Sequence, residues 1–447
     1  MASTSKQEQQ ETSSGSSLLD EVVCMTWGPE LKEDVFARWG QGFAFSEHEP
    51  SALLQHEGGP CAVIAPLQAF ILKALLFQGE PPVEWRNLNG DQCRALLLAA
   101  MTEVLQTVSS GGGYYLVLKN DKQDAILEEG AVIENVVEAA QGELHNHRIF
   151  HSNLRLQPFD SIEEVNRGLE SSHEMFLADS GLLLFLYSVL LTKGLDKIRQ
   201  EVEDTTEPLI DGIYGHGSQS LINLMLTGSA VSHVFDDEKE VDGLKMRGIT
   251  RQTNVGFLTL LENLRYCEVG SFLKNPRQPI WVLGSETHLT VLFTQEASLV
   301  AEETEWEKAH RIFSMYDTEC SGFITTIMLK EVLDALELAT IPEYIDFVKQ
   351  RLDPDDFGVI LLNSFMTEFF PNKPERTIPE YFTIYHYNGL KRSCPNRQVA
   401  YIEGRASIPD PSDLTCLSDA TPIKCCLRTK WPTCEVDWKD NANPSII

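Results

Sequence analysis

Between residues 61 and 77, apolar side chains fall at Val63, Ile64, Leu67, Phe70, Ile71, Ala74 and Leu75. That three-and-four spacing predicts a helix with a wide buried face. "CRALLLAAMTEVLQTV" (93–108) predicts a second helix, and "GGGYYLVL" (111–118) a glycine turn into a strand. Residues 21–60 read as irregular, with "WGPE", "RWGQGF" and "EGGP" as turns. Residues 120–175 are polar, and their weak periodicity predicts no ordered set of elements. Two further helices are expected around 181–201 and 218–228. "PIWVLGSETHLTVLF" (279–293) holds two β-rich runs broken by Gly-Ser, the pattern of a hairpin.

Near residue 300 the texture becomes acidic and helical until about 370, and β texture returns in "YFTIYHYNGL" (381–390). The chain thus divides into a disordered head (1–17), the first part of an α+β domain (18–300), an inserted helical module (301–372), the completion of the larger domain (373–440) and a polar tail (441–447). A length of 447 residues, with 43% hydrophobic and 23% charged positions, suits one large domain and one smaller one.

The charge narrows the partners. A net charge of -30 repels polyanions, so no nucleic-acid partner is expected. The longest apolar run, "GLLLFLYSVLL" (181–191), is shorter than the roughly 20 residues a bilayer demands, and no membrane partner is expected. The opening "MASTSKQEQQETSSGSS" contains no apolar segment to act as a secretory signal. Ten scattered cysteines without a Cys-x-x-Cys pair suit a reducing nucleus or cytosol. No cofactor or metal is expected. "HNHRIFH" (His145, His147, His151) fits no common zinc spacing, and no Gly-Lys-Ser/Thr follows "GGGYYLVL" to hold a phosphate.

One cysteine stands apart. "LLQHEGGPCAVIAPL" sets Cys61 behind two glycines and a proline, in the first turn of the predicted helix. Free amides and the dipole at that end favour thiolate, and the glycines are expected to leave the sulfur open to approach. Gln55, six residues upstream, supplies a carboxamide that with the Cys61 amide would hold an oxyanion. A thiol nucleophile needs a base, and His288 at the start of the second hairpin arm is rigidly placed and expected to be solvent-accessible. His216, in the glycine-flanked loop "YGHGSQS", is the rival.

With those residues in place, the sequence resembles the MINDY family of cysteine deubiquitinases, in the branch with an EF-hand-like insert. The matching segments include "FSEHEPSALLQHEGGPCAVIAPLQAFILKALLF", "EPLIDGIYGHGSQSLINLMLTGSAVSHVFDDE", "PIWVLGSETHLTVLF" and "FTIYHYNGL". The resemblance implies a papain-like α+β fold and hydrolysis of polyubiquitin joined through lysine 48 of ubiquitin. It implies Cys61 as nucleophile, His288 as general base and Gln55 as oxyanion donor. A group to orient His288 is not obvious; Thr290 shares its strand face. "YGHGSQS" and the acidic "DDEKEVD" (236–242) are candidate walls for a tunnel around the ubiquitin tail.

Within the insert, "DTECSGFITTIM" (317–328) has Asp317, Glu319, Ser321 and Gly322 at EF-hand positions one, three, five and six, but Met328 where a bidentate glutamate belongs. "DPDDFGVILLNS" (353–364) repeats the pattern with Phe357 at five and Ser364 at twelve. Such a pair keeps the shape and loses the ligands, so calcium binding is not expected. Two functions therefore compete: a cysteine isopeptidase, favoured by Gln55, Cys61 and His288, and a catalytically weak ubiquitin-chain scaffold that recruits partners through the insert.

Overall fold

Twelve short strands and a larger number of helices build a mixed, α+β architecture in the computed structural model, which describes residues 17–120, 147–241, 243–300, 304–317, 321–372, 378–409 and 421–446. Its centre is a six-stranded sheet in the order β12-β11-β10-β7-β6-β5. The strands are β5 (Gly256–Thr259), β6 (Ile280–Gly284), β7 (Leu289–Thr294), β10 (Phe382–Tyr387), β11 (Ile402–Ser407) and β12 (Glu435–Trp438). β5 and β6 run parallel and every other pair antiparallel. β6 and β7 form the expected hairpin, registered from Ile280↔Phe293 to Gly284↔Leu289.

Every residue of β6 and β7 is buried, because both faces of the sheet are covered. Period-two alternation divides them. Ile280, Val282, Val291 and Phe293 enter the main core with helix α3 (Cys61–Phe77), whereas Trp281, Leu283 and Leu292 enter a second core with Ile423, Cys426 and Leu427. α3 has fourteen of its seventeen residues buried, so it is a central helix, apolar almost all round. α4 (Gly90–Val108) packs beside it and starts with the Asn89–Gln92 capping box.

The segment 21–60 is irregular only in part: 28–32 and 40–60 hold no regular element beyond isolated bridges. Residues 17–27 form α1 and Glu33–Trp39 form α2. Val22, Trp27, Val35, Phe36 and Trp39 are buried, while Leu18, Leu19, Val23 and Met25 are only partly so, and turn signals on either side hide the pattern in the sequence. The helix expected over 181–201 is broken into α5 (Gly181–Lys193) and α6 (Leu195–Glu201) by Gly194 at φ +89°. α7 (Gln219–Thr227) stands where 218–228 predicts it. β1 (Tyr114–Lys119) pairs with β2 (Leu154–Phe159), and β3 (Glu238–Val241) with β4 (Leu244–Arg247). β2 lies in the stretch whose sequence predicts no order; residues 121–146, including His145, lie outside the described ones.

Four helices, α8 (Glu305–Tyr316), α9 (Leu329–Ala335), α10 (Pro342–Leu352) and α11 (Leu362–Phe369), enclose a third core of their own. β8 (Phe323–Thr325) and β9 (Val359–Leu361) pair between them. Asp317 accepts from the Ser321 and Gly322 amides, and Asp353 from those of Phe357 and Gly358. Glu319 and the boundaries drawn at 301 and 373 lie outside the described residues. The end of the chain is less polar in place than in sequence: Ile446 is buried within the second core.

A core that shares no residue with the other two is expected to respond locally to damage. Phe313→Ala removes a ring 5.2 Å from that of Phe365, a change that costs about 3–5 kcal/mol. Amide exchange should rise across 305–369 and stay unchanged in β5–β7, measured by mass spectrometry.

Candidate active site

The start of α3 carries no side-chain cap: Pro60 is the N-cap, and its carbonyl receives the Val63 and Ile64 amides. Cys61 is the first helical residue and is only 4% exposed. The glycines before it do not open an approach to the sulfur. Gly59 sits at φ +130°, and a Cβ there would lie 2.9 Å from both the Gly215 carbonyl and the Trp39 indole nitrogen. Those two groups hydrogen-bond at 2.9 Å, so Gly59 is needed for close packing behind the thiol.

The helix end does favour thiolate, through the Cys61 and Ala62 amides, and the Leu289 amide adds to it from β7. Burial outweighs all three and pushes the thiol up to about 11. The expected low-pKa thiolate is therefore corrected to a neutral thiol at rest.

α3 packs against β7, and His288 directly precedes that strand. His288 closes the hairpin turn, with its amide on Ser285 Oγ at 3.1 Å and its carbonyl accepting from the Ser285 amide at 2.9 Å. It is 5% exposed, contrary to the accessible position expected. Its Nε2 lies 2.9 Å from Asn388 Oδ1. Burial holds the imidazole below its ordinary pKa; Asn388 opposes that, while Arg392 and His216 reinforce it by charge repulsion. Thr290, proposed from strand parity, is fully buried and its hydroxyl finds no partner among the described residues.

Asn388 is the residue that sequence reasoning missed. Its one visible signal was the Asn-Gly pair after β10, which reads as a turn.

Gln55 reaches the site by a different route. Gln68 on α3 accepts from the Leu53 amide at 2.7 Å and donates to the Ser51 carbonyl and the Tyr401 hydroxyl. Two residues on, the Gln55 amide donates to the Gly389 carbonyl at 2.8 Å, beside Asn388. The Gln55 side chain donates one N–H to the Glu57 carbonyl at 2.7 Å, leaving a second N–H in its carboxamide.

The rival His216 lies close enough to act on the charge of His288, but of these two histidines it is His288 that pairs with Asn388. The 211–217 loop nevertheless flanks the thiol: a Cβ on Gly217 would meet Ala62 at 2.4 Å. Asp236 is not free to line a tunnel, because its carboxylate caps the Ser271–Lys274 turn through the Ser271 and Phe272 amides. Glu238 and Lys239 belong to β3, where Lys239 pairs with Glu268. Asp242 lies outside the described residues. A buried thiol, an imidazole preceding the strand packed on its helix, and a buried carboxamide form a group set suited to attack on a carbonyl.

The comparisons agree with that chemistry. The family model for "Deubiquitinating enzyme MINDY-3/4, conserved domain" matches residues 31–330. The chain is 47% identical over 446 residues to "Ubiquitin carboxyl-terminal hydrolase MINDY-3" of Homo sapiens, covering 96% of this chain and 100% of that protein. It is 46% identical to the Xenopus tropicalis protein of the same name, over 96% of this chain and 99% of the other. A bovine "Probable ubiquitin carboxyl-terminal hydrolase MINDY-4" is 31% identical over 62% of this chain and 35% of that protein. No solved structure matches. The chain belongs to the MINDY-3/4 family of deubiquitinating enzymes.

Proposed function

We propose that the protein is a thiol-dependent isopeptidase that removes polyubiquitin, with preference for chains joined through lysine 48 of ubiquitin. The observation that carries this reading is the packing of α3, which begins at Cys61, against β7, which begins directly after His288. His288 takes the Cys61 proton, and the thiolate attacks the isopeptide carbonyl after ubiquitin's terminal glycine. Gln55 and the Cys61 amide hold the oxyanion. His288 returns its proton to the leaving lysine amine, and water then hydrolyses the thioester.

Both groups rest uncharged, so the closed site holds no unpaired buried charge. The ion pair forms when the ubiquitin tail displaces the packing around the sulfur. A papain-like arrangement, with the nucleophile at a helix start and the base on the sheet beneath, is the architecture this reading requires. The insert is an EF-hand-like pair kept for shape; the Asp317 and Asp353 carboxylates already hold loop amides. Micromolar calcium affinity by calorimetry would overturn that part.

Cleavage of long chains of defined linkage tests the whole. Cys61→Ala and His288→Ala should abolish it, and Gln55→Ala should lower kcat by about 10²–10³. Equal cutting of every linkage removes the lysine-48 preference, and binding without cutting favours the scaffold. Because His288 titrates below its ordinary value, the acid limb of kcat should lie below about pH 6.5.

In the free protein, a thiol at about 11 should alkylate slowly near neutrality. Its rate should rise roughly tenfold per pH unit above that, while exposed Cys24 reacts first. Peptide mapping after timed iodoacetamide treatment reads both; Cys61 reacting faster than Cys24 at pH 7 contradicts the closed resting state.

A further inference from the structure

The end of the chain touches the catalytic histidine through one intermediary. Asn388, 3% exposed, follows β10, and each face of its carboxamide has a partner. Oδ1 accepts from the Leu390 amide at 2.9 Å, and Nδ2 donates to the Ser445 carbonyl at 2.9 Å. The Cys394 thiol donates to its backbone carbonyl at 3.1 Å. An amide N–H only donates and a carbonyl only accepts, so the two side-chain bonds assign the carboxamide without reference to His288. A flipped amide would set N–H against N–H and oxygen against oxygen.

With Oδ1 so assigned, the 2.9 Å bond to His288 Nε2 requires that nitrogen to carry the proton. Nδ1 is left with the lone pair, which is the tautomer a general base needs on its other nitrogen. The Ser445 carbonyl is in turn held by its neighbour: Ile446 is buried among Leu258, Trp281, Leu283 and Ile384 in the second core. Pro444 is buried as well. The segment read from sequence as a polar tail is anchored at its apolar residues.

We infer that residues 444–446 form a C-terminal strap that fixes Asn388, and that Asn388 is a positioning residue selecting the Nδ1-free tautomer and the orientation of His288. The inference rests on the isopeptidase reading above. It makes activity depend on residues 444–446, which act through Asn388.

The test uses the full chain, Asn388→Ala, Asn388→Asp, a chain ending at Pro444 and the double variant, all on ubiquitin chains, with thermal melting as the check of folding. Asn388→Ala and the shortened chain should each lose about 10- to 100-fold in kcat with KM within about two-fold. The double variant should fall no further than Asn388→Ala, since both act through one bond network. The acid limb of the pH profile separates positioning from folding. Asn388→Ala removes an acceptor that supports the imidazolium, so the limb should move to lower pH; Asn388→Asp places a carboxylate there, so it should move to higher pH. A purely structural role predicts no such opposed movement.

Wild-type kcat and pH profile in Asn388→Ala, or wild-type kcat in a folded shortened chain, overturns the inference. If the shortened chain does not fold, the opposed limbs of the two Asn388 variants decide. Cys61→Ala separates the two levels: cleavage that survives it defeats the isopeptidase reading itself, whereas cleavage lost there but intact in the Asn388 variants defeats the strap alone.

Discussion

The burial of α3 against β6 and β7 is the constraint on which the site depends. Each large apolar side chain removed from water there contributes about 1.5–3 kcal/mol, and the helix is apolar on nearly every side. It therefore has one seat, between the sheet and the α4 and α7 helices. Seating it lays the helix that begins at Cys61 against the strand that begins after His288. Cys61 and His288, with 226 residues between them in sequence, come to neighbouring elements as a by-product of core packing. Close-packed cores tolerate little displacement, so the geometry inherits their rigidity.

The same burial sets the electrostatics. Desolvation disfavours the charged form of each partner, raising the thiol and lowering the imidazole, so the pair rests neutral. Three backbone amides pull toward thiolate and lose to the missing water. A nearby second histidine, His386, is pressed further in the same sense: burial, and then the charge of His288, bring it down to about 3. Charge in this pocket is costly until something polar enters it.

Residues 387–390 gather the remaining parts. Tyr387 donates to the Leu53 carbonyl, Gly389 accepts from the Gln55 amide, and Asn388 joins His288 to the end of the chain. On the far side of this seam, Gln68 and Tyr401 tie residues 51–53 to α3, and Arg86 closes the border by pairing with Glu49. Segments distant in sequence thus share one largely buried polar network. Each of its members is worth more in place than in water, because an unmet partner here has no solvent to replace it.

How much of this was legible in the residues follows from the range of the forces involved. Local rules operate within a few positions: apolar period and Gly-Pro punctuation marked α3 and put Cys61 at its start, and alternation with Gly-Ser placed the hairpin whose second arm follows His288. Those same rules passed over α1 and α2 and read Asn388 only as part of the β texture of 381–390. Burial is a sum over neighbours that the chain order does not name, so Cys61 and His288 were expected to be open and are closed. The orientation of His288 is decided by a carboxamide 100 residues away, itself aimed by a carbonyl 57 residues further on. Linear order carries the helices, strands and reactive side chains; which of them touch, and in what protonation state, exists only once the chain has folded.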